Sequence, residues 1–150
     1  MSDLEKRLEA LLQPLLDERG LTLVDLELKG VGNRRILRVY IDKEGGVTLR
    51  DCEDLSREFS VLLDIEDPIE GSYILEVSSP GADRVLKKER ELQWAVGKAV
   101  RVTTAQGTVI GILQQVDPSV VTLETPDGPL RLPRAEIQVI RLYMKEVERE

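Results

Sequence analysis

After Gly97 the chain changes its hydrophobic pattern, and this change limits the available folds more than any other feature. Five short β-rich runs, Ala99 to Thr104, Thr108 to Val116, Val120 to Thr125, Leu130 to Leu132 and Ile137 to Leu142, follow one another closely. Between them stand Gln106-Gly107, Asp117-Pro118, Pro126-Asp127-Gly128-Pro129 and Pro133, the residues that turn a chain sharply. Strands this short and this close predict a small β-barrel of the SH3-like or Sm-like kind over residues 99–143. The charged end, residues 144–150, is expected to fray.

Before that point the pattern is mixed. Ser2 and Glu5 have capping-box spacing, and Leu4, Leu8, Leu11, Leu12, Leu15 and Leu16 form one stripe at spacings of three and four. They predict a helix ending at Gly20 and bent at Pro14. From Leu21 to Lys29 the period becomes two, with Val24, Leu26 and Leu28 on one side and Asp25, Glu27 and Lys29 on the other. Gly30, Gly32 and Asn33 turn the chain, and Leu37, Val39 and Ile41 complete an antiparallel hairpin. Thr48 and Asp51 cap a second helix whose buried stripe is Leu49, Cys52, Leu55, Phe59, Leu62 and Leu63, and Tyr73, Leu75 and Val77 alternate as a third strand. The first half therefore reads α-β-β-α-β and ends near Pro80. Residues 81–98 are expected to be a linker with a short helix from Leu86 to Val96. The fold class is α+β, a sandwich over residues 1–80 followed by the barrel.

Charge separates the same two halves. The chain carries 21 Lys and Arg against 28 Asp and Glu, a net of −7. Residues 1–80 hold 10 basic against 18 acidic side chains, and residues 81–150 hold 11 against 10. One half should avoid nucleic acid, and the other is suited to lie beside it. There is no histidine, which removes Ser-His-Asp and Cys-His nucleophile systems and His-ligated zinc or iron. The single Cys52 falls within an apolar stripe and is expected to be a small core residue in a reducing compartment, pointing to the cytoplasm. No run of membrane-spanning length or secretory leader is visible. Gly45-Gly46 before Thr48 reads as a turn and cap, since no P-loop lysine follows. Asp64, Glu66 and Asp67, without a defined pocket, give no case for a hydrolytic pair or a magnesium site. No catalytic residue, metal or cofactor is expected.

Three segments taken together carry a family resemblance: "RVYIDKEGGVTLRDCEDLSREFSVLLD" from Arg38, "LEVSSPGADRVL" from Leu75, and the short-strand region after Gly97. They resemble the bacterial ribosome maturation factor family RimP, from Gly20 to Leu142. The resemblance implies a KH-like layout for the amino-terminal domain and an Sm-like barrel for the carboxy-terminal one. It implies a non-catalytic, cytoplasmic assembly factor that binds the free small ribosomal subunit near small-subunit ribosomal protein twelve and ribosomal RNA. Ser78, Ser79, Pro80, Gly81, Asp83 and Arg84 match the family signature at the domain junction, and Val85 stands where proline is common. Gly45, Gly46, Val47 and Thr48 match its turn into the second helix.

The candidate contacts with the subunit and its RNA are Ser78, Ser79, Asp83, Arg84, Lys87, Lys88 and Arg90 around the junction, with Lys98, Arg101, Arg131 and Arg134 on the barrel. Arg84, Lys87, Lys88 and Arg90 form the densest basic run, suited to phosphate if they share a face. The plainer reading of Asp83 and Arg84 is a local ion pair. Glu53, Asp54 and Glu58, on the polar side of the second helix, are candidates for docking a basic protein. Aromatic residues make up only 3% of the chain, which disfavours recognition by base stacking. A stand-alone Sm-like RNA-binding regulator is the competing reading. Such proteins usually act as rings, whereas an assembly factor of this kind is expected to be a monomer.

Overall fold

The structure, a computed structural model, describes residues 2–81 and 83–143; the expected frayed end, 144–150, lies outside them. The chain divides into two compact units at Pro80/Gly81. In the first, helix α1 (Asp3–Arg19) precedes strands β1 (Thr22–Lys29) and β2 (Arg35–Asp42), and helix α2 (Leu49–Glu66) leads to strand β3 (Tyr73–Ser78). The sheet order is β1-β2-β3, with β1 antiparallel and β3 parallel to β2. A parallel neighbour requires a crossover connection, and α2 supplies it. Leu8, Leu12 and Leu16 of α1 and Leu55, Phe59 and Leu63 of α2 bury against Leu26, Leu37, Val39 and Ile41 of the sheet.

Local chemistry explains each boundary. The Ser2 side chain accepts from the Glu5 amide, and Glu5 Oε1 accepts in return from the Ser2 amide, each at 3.1 Å. The other oxygen, Oε2, accepts from the Leu28 amide of β1 at 2.9 Å, so one carboxylate caps a helix and closes part of a sheet edge. Glu5→Ala is expected to cost about 1–2 kcal/mol, because a cap and an edge bond go together; denaturant unfolding followed by helical circular dichroism measures it. The helix runs on past Pro14 and ends on Gly20 at φ 66°. The hairpin depends on Gly30, where a Cβ would stand 2.2 Å from the Arg34 carbonyl oxygen.

Two expectations for this unit change. Asp25 stands on the expected side, opposite Tyr40, yet is 1% exposed, and a β-bulge between Leu23 and Asp25 shifts the register of β1. Leu49, expected in the buried stripe of α2, is 76% exposed: it occupies the first helical position and faces a groove rather than the sheet. Cys52 is buried in the core. Burial, with Asp51 and Glu53 nearby, pushes its thiol above the ordinary value, which suppresses the reactive thiolate.

In the second unit, helix α3 (Glu89–Trp94) precedes strands β4 (Ala99–Thr104), β5 (Gly107–Val116), β6 (Val120–Thr125), β7 (Gly128–Pro133) and β8 (Ile137–Leu142). All pairings are antiparallel, in the order β7-β6-β5-β4-β8. The sheet does not close into the expected barrel: β7 and β8 are its two edges and are not paired with each other. Nor are residues 81–98 a linker. Leu86, Leu92 and Ala95 belong to the buried core of this unit, with Val100, Val102, Leu113, Val121 and Leu123. The helix is shorter than predicted because residues 84–86 go to the sheet: the Leu86 amide donates to Ile140 and the Leu142 amide to Arg84, both at 2.8 Å. This short extension covers the end of β8.

At the opposite edge, the Arg134 amide donates to the Ser119 carbonyl at 2.9 Å. Antiparallel partners alternate between bonded and non-bonded pairs. Counting back along the β6–β7 register, Val120/Pro133, Thr122/Arg131 and Glu124/Pro129 are non-bonded pairs. Pro129, Arg131 and Pro133 therefore turn their backbone nitrogens outward, and only Arg131 has a hydrogen to offer there.

Candidate functional site

The junction segment splits between the units. Ser78 and Ser79 are exposed at the end of β3, in the first unit. In the second, the Asp83 carbonyl accepts from Arg141 Nη1 at 3.3 Å, and its expected ion pair with Arg84 is replaced. Arg84 Nε instead lies 2.6 Å from Glu91 Oε2, with the two side chains 16% and 4% exposed. Glu91 Oε1 accepts the amides of Lys87 and Lys88, at 3.1 and 2.9 Å. Burial works to raise the Glu91 pKa, but the Lys88 amide, Arg84 and the Lys87 amide outweigh it and hold the carboxyl below its ordinary 4.5. This buried cluster fixes the start of α3 to the chain entering the sheet. Arg84 is thus directed into the unit, not toward a phosphate.

The other cations are distributed around this anchor. Lys87 and Lys88 are exposed and Arg90 is half-exposed. Arg134 Nη2 pairs with Glu89 at 2.6 Å and Nη1 donates to the Asp117 carbonyl at 3.0 Å, which ties the turn before β8 to α3. Lys87 and Arg134 both line a cavity of about 270 Å³ between residues 85–87 and the start of β8. Lys98 Nζ lies 5.0 Å from the centre of the Trp94 ring. On the sheet face, Arg101 is the cross-strand partner of Arg141 and its guanidinium lies 5.2 Å from the Tyr143 ring. Arg131 is exposed on edge strand β7. The structure therefore gathers Lys87, Lys88, Arg90 and Arg134 near α3, pairs Arg101 with Arg141 on the sheet, and leaves Arg131 apart.

Sequence reasoning missed Arg141 and Glu91. Arg141 gives no local signal, because only strand register brings it beside Arg101. Glu91 had one, since it stands at the third helical position, where a carboxylate reaches back to free amides. The predicted acidic face is also divided. Asp54 lies 3.9 Å from Arg19 of α1 and Glu58 lies 2.5 Å from it, so both join the two helices. Asp54 further faces Arg50 and Arg57. Glu53 is exposed, with no ion-pair partner among the described residues.

These features define the class: an α+β protein of two units, with its acidic excess in one and a set of accessible cations in the other. Residues 11–83 match the family model for the RimP N-terminal domain. This match places residues 11–83 in the RimP family, whose members are ribosome maturation factors. No helix among the described residues is long and apolar enough to cross a membrane.

Proposed function

We propose that this protein is a non-catalytic assembly factor in the cytoplasm that binds the free small ribosomal subunit and favours a productive arrangement of it. The family match over residues 11–83 carries this reading. A factor that binds one arrangement of RNA and protein better than its competitors shifts the population toward it, and no chemical step is needed. The first unit, with its excess of carboxylates, suits a basic protein partner such as small-subunit ribosomal protein twelve. Lys87, Lys88, Arg90 and Arg131, with the Arg101–Arg141 pair, suit RNA phosphates in the second. In this reading the first unit has a KH-like layout and the second is a relative of Sm-like barrels.

The competing reading, a ring-forming Sm-like regulator, finds little support in the sheet edges. A ring built by pairing the edge strand of one copy with that of the next would need both sheet edges open. Here Pro129 and Pro133 remove two of the three outward donors of β7, and residues 84–86 occupy the end of β8. A monomer is expected by light scattering; a hexamer or heptamer would favour the regulator.

Co-sedimentation with free small subunits, large subunits and joined ribosomes across a salt series tests the main reading. Selective, salt-sensitive binding to free small subunits is expected. A variant carrying Lys87→Glu and Arg131→Glu should bind more weakly, with the logarithmic salt slope reduced by roughly 0.7–0.9 per lost phosphate contact. No binding to free small subunits at low salt would overturn the proposal.

A further inference from the structure

Unpaired sheet edges invite stray pairing, and proteins guard them. Three of the four edges here carry a guard. Glu5 takes the Leu28 amide of β1, residues 84–86 cover the end of β8, and prolines interrupt the donors of β7. The fourth, β3, has no such cover among the described residues, and Glu76 is its single charge. Its outer edge is unpaired among the described residues, and its sequence, Tyr73-Ile74-Leu75-Glu76-Val77-Ser78, contains no proline or lysine.

A groove of about 700 Å³ runs beside this edge, between β3 and the outer side of α2. Leu49, Val61, Leu75 and Val77 supply much of its apolar lining, and Glu53, Arg57 and Glu76 its charged one. Val61 is 57% exposed, although it stands on a helix whose other face builds the core. Charge selects the occupant: Glu53 and Glu76 border the groove against Arg57, burial together with Asp64 and Asp67 raises the pKa of the Tyr73 hydroxyl at the start of β3, and Glu53 has no ion-pair partner among the described residues.

We propose that the open edge of β3 and the groove beside it take an extended protein segment in which basic and apolar residues alternate, added as a fourth strand. Main-chain hydrogen bonds to β3 hold it, and its side chains point alternately to the two faces of the sheet. Those on the α2 side meet Leu49 and Val61. Those on the other side lie beside Glu76, half-exposed and bonded to Arg38 at 3.0 Å. This deepens, and rests on, the reading that the acidic unit meets a basic protein.

The probe is an octapeptide of alternating arginine and valine, added to the full chain while amide hydrogen exchange is followed. Protection confined to Tyr73–Ser78 is expected, with loss of binding when alternate peptide nitrogens are methylated. Val61→Lys, at an exposed site, should weaken binding about ten-fold while leaving the circular dichroism unchanged. Equal binding of the methylated peptide would overturn the proposal, since charge alone would then suffice. So would protection elsewhere, or a concentration-dependent dimer that Val61→Lys abolishes, because a second copy would then be the occupant. Co-sedimentation separates this from the broader reading. Peptide binding at β3 without subunit binding overturns the assembly role alone, and subunit binding without peptide binding overturns the strand-addition site alone.

Discussion

Replacing Glu91 by alanine is expected to destabilise the second unit by about 3–5 kcal/mol, the range for breaking a buried ion pair from one side. The substitution removes the carboxylate 2.6 Å from the largely enclosed Arg84 guanidinium and takes from the Lys87 and Lys88 amides the oxygen they donate to. Trp94, the only tryptophan in the chain, packs against the core of this unit, so its fluorescence follows the unfolding. A shift under about 1 kcal/mol would show that the cluster contributes no more than a surface pair.

The same group gives a pH dependence of defined sign. The folded-state pKa of Glu91 is depressed, so its stabilisation is fully present above the ordinary 4.5 and is lost as pH falls through the depressed value. Glu91→Gln should flatten that acid limb of the stability curve. There is also a consequence for function. Loss of subunit binding in an Arg84→Ala variant would reflect a damaged second unit, which is why Lys87 and Arg131 are the better probes of phosphate contact.

Phe59→Ala should cost a similar 3–5 kcal/mol, but in the first unit. Phe59 is fully buried among Leu and Ile side chains of α1, α2 and the sheet, and truncation leaves a cavity that the packed surroundings fill only partly. Helical circular dichroism reports this loss, since α1 and α2 account for most of the helix. The two buried clusters share no residue, so the two variants should act on different signals and their costs should add. A Phe59→Ala variant that unfolds at the wild-type midpoint by circular dichroism would contradict the packing described.

Much of the fold is legible in the residues. The stripe of leucines from Leu4 to Leu16 and the Ser2–Glu5 spacing mark α1, because helical period and capping chemistry are local properties. Thr48 with Asp51 marks the start of α2 for the same reason. Every strand after Gly97 falls within two residues of its predicted bounds, since Gly and Pro punctuate them. Leu49 and Asp25 defeated the pattern because periodicity says which side of an element a residue occupies, and not whether anything covers that side. Arg84 defeated the site reading because a run of basic residues does not disclose that one of them turns inward to a carboxylate seven positions on.

Composition and pattern alone determined that this protein is α+β, that it changes architecture near Pro80, and that its acidic excess belongs to the first half. These depend on residue types and on spacings within a few positions, which neighbouring residues set. Only the tertiary structure decided that β3 lies parallel to β2 with its outer edge unpaired, that residues 84–86 extend the second sheet while that sheet stays open, and that Glu91 gathers Arg84 and two amides. Those depend on which distant segments meet. Strand order and register arise from the combined packing of all the elements, and no local stretch of sequence encodes them.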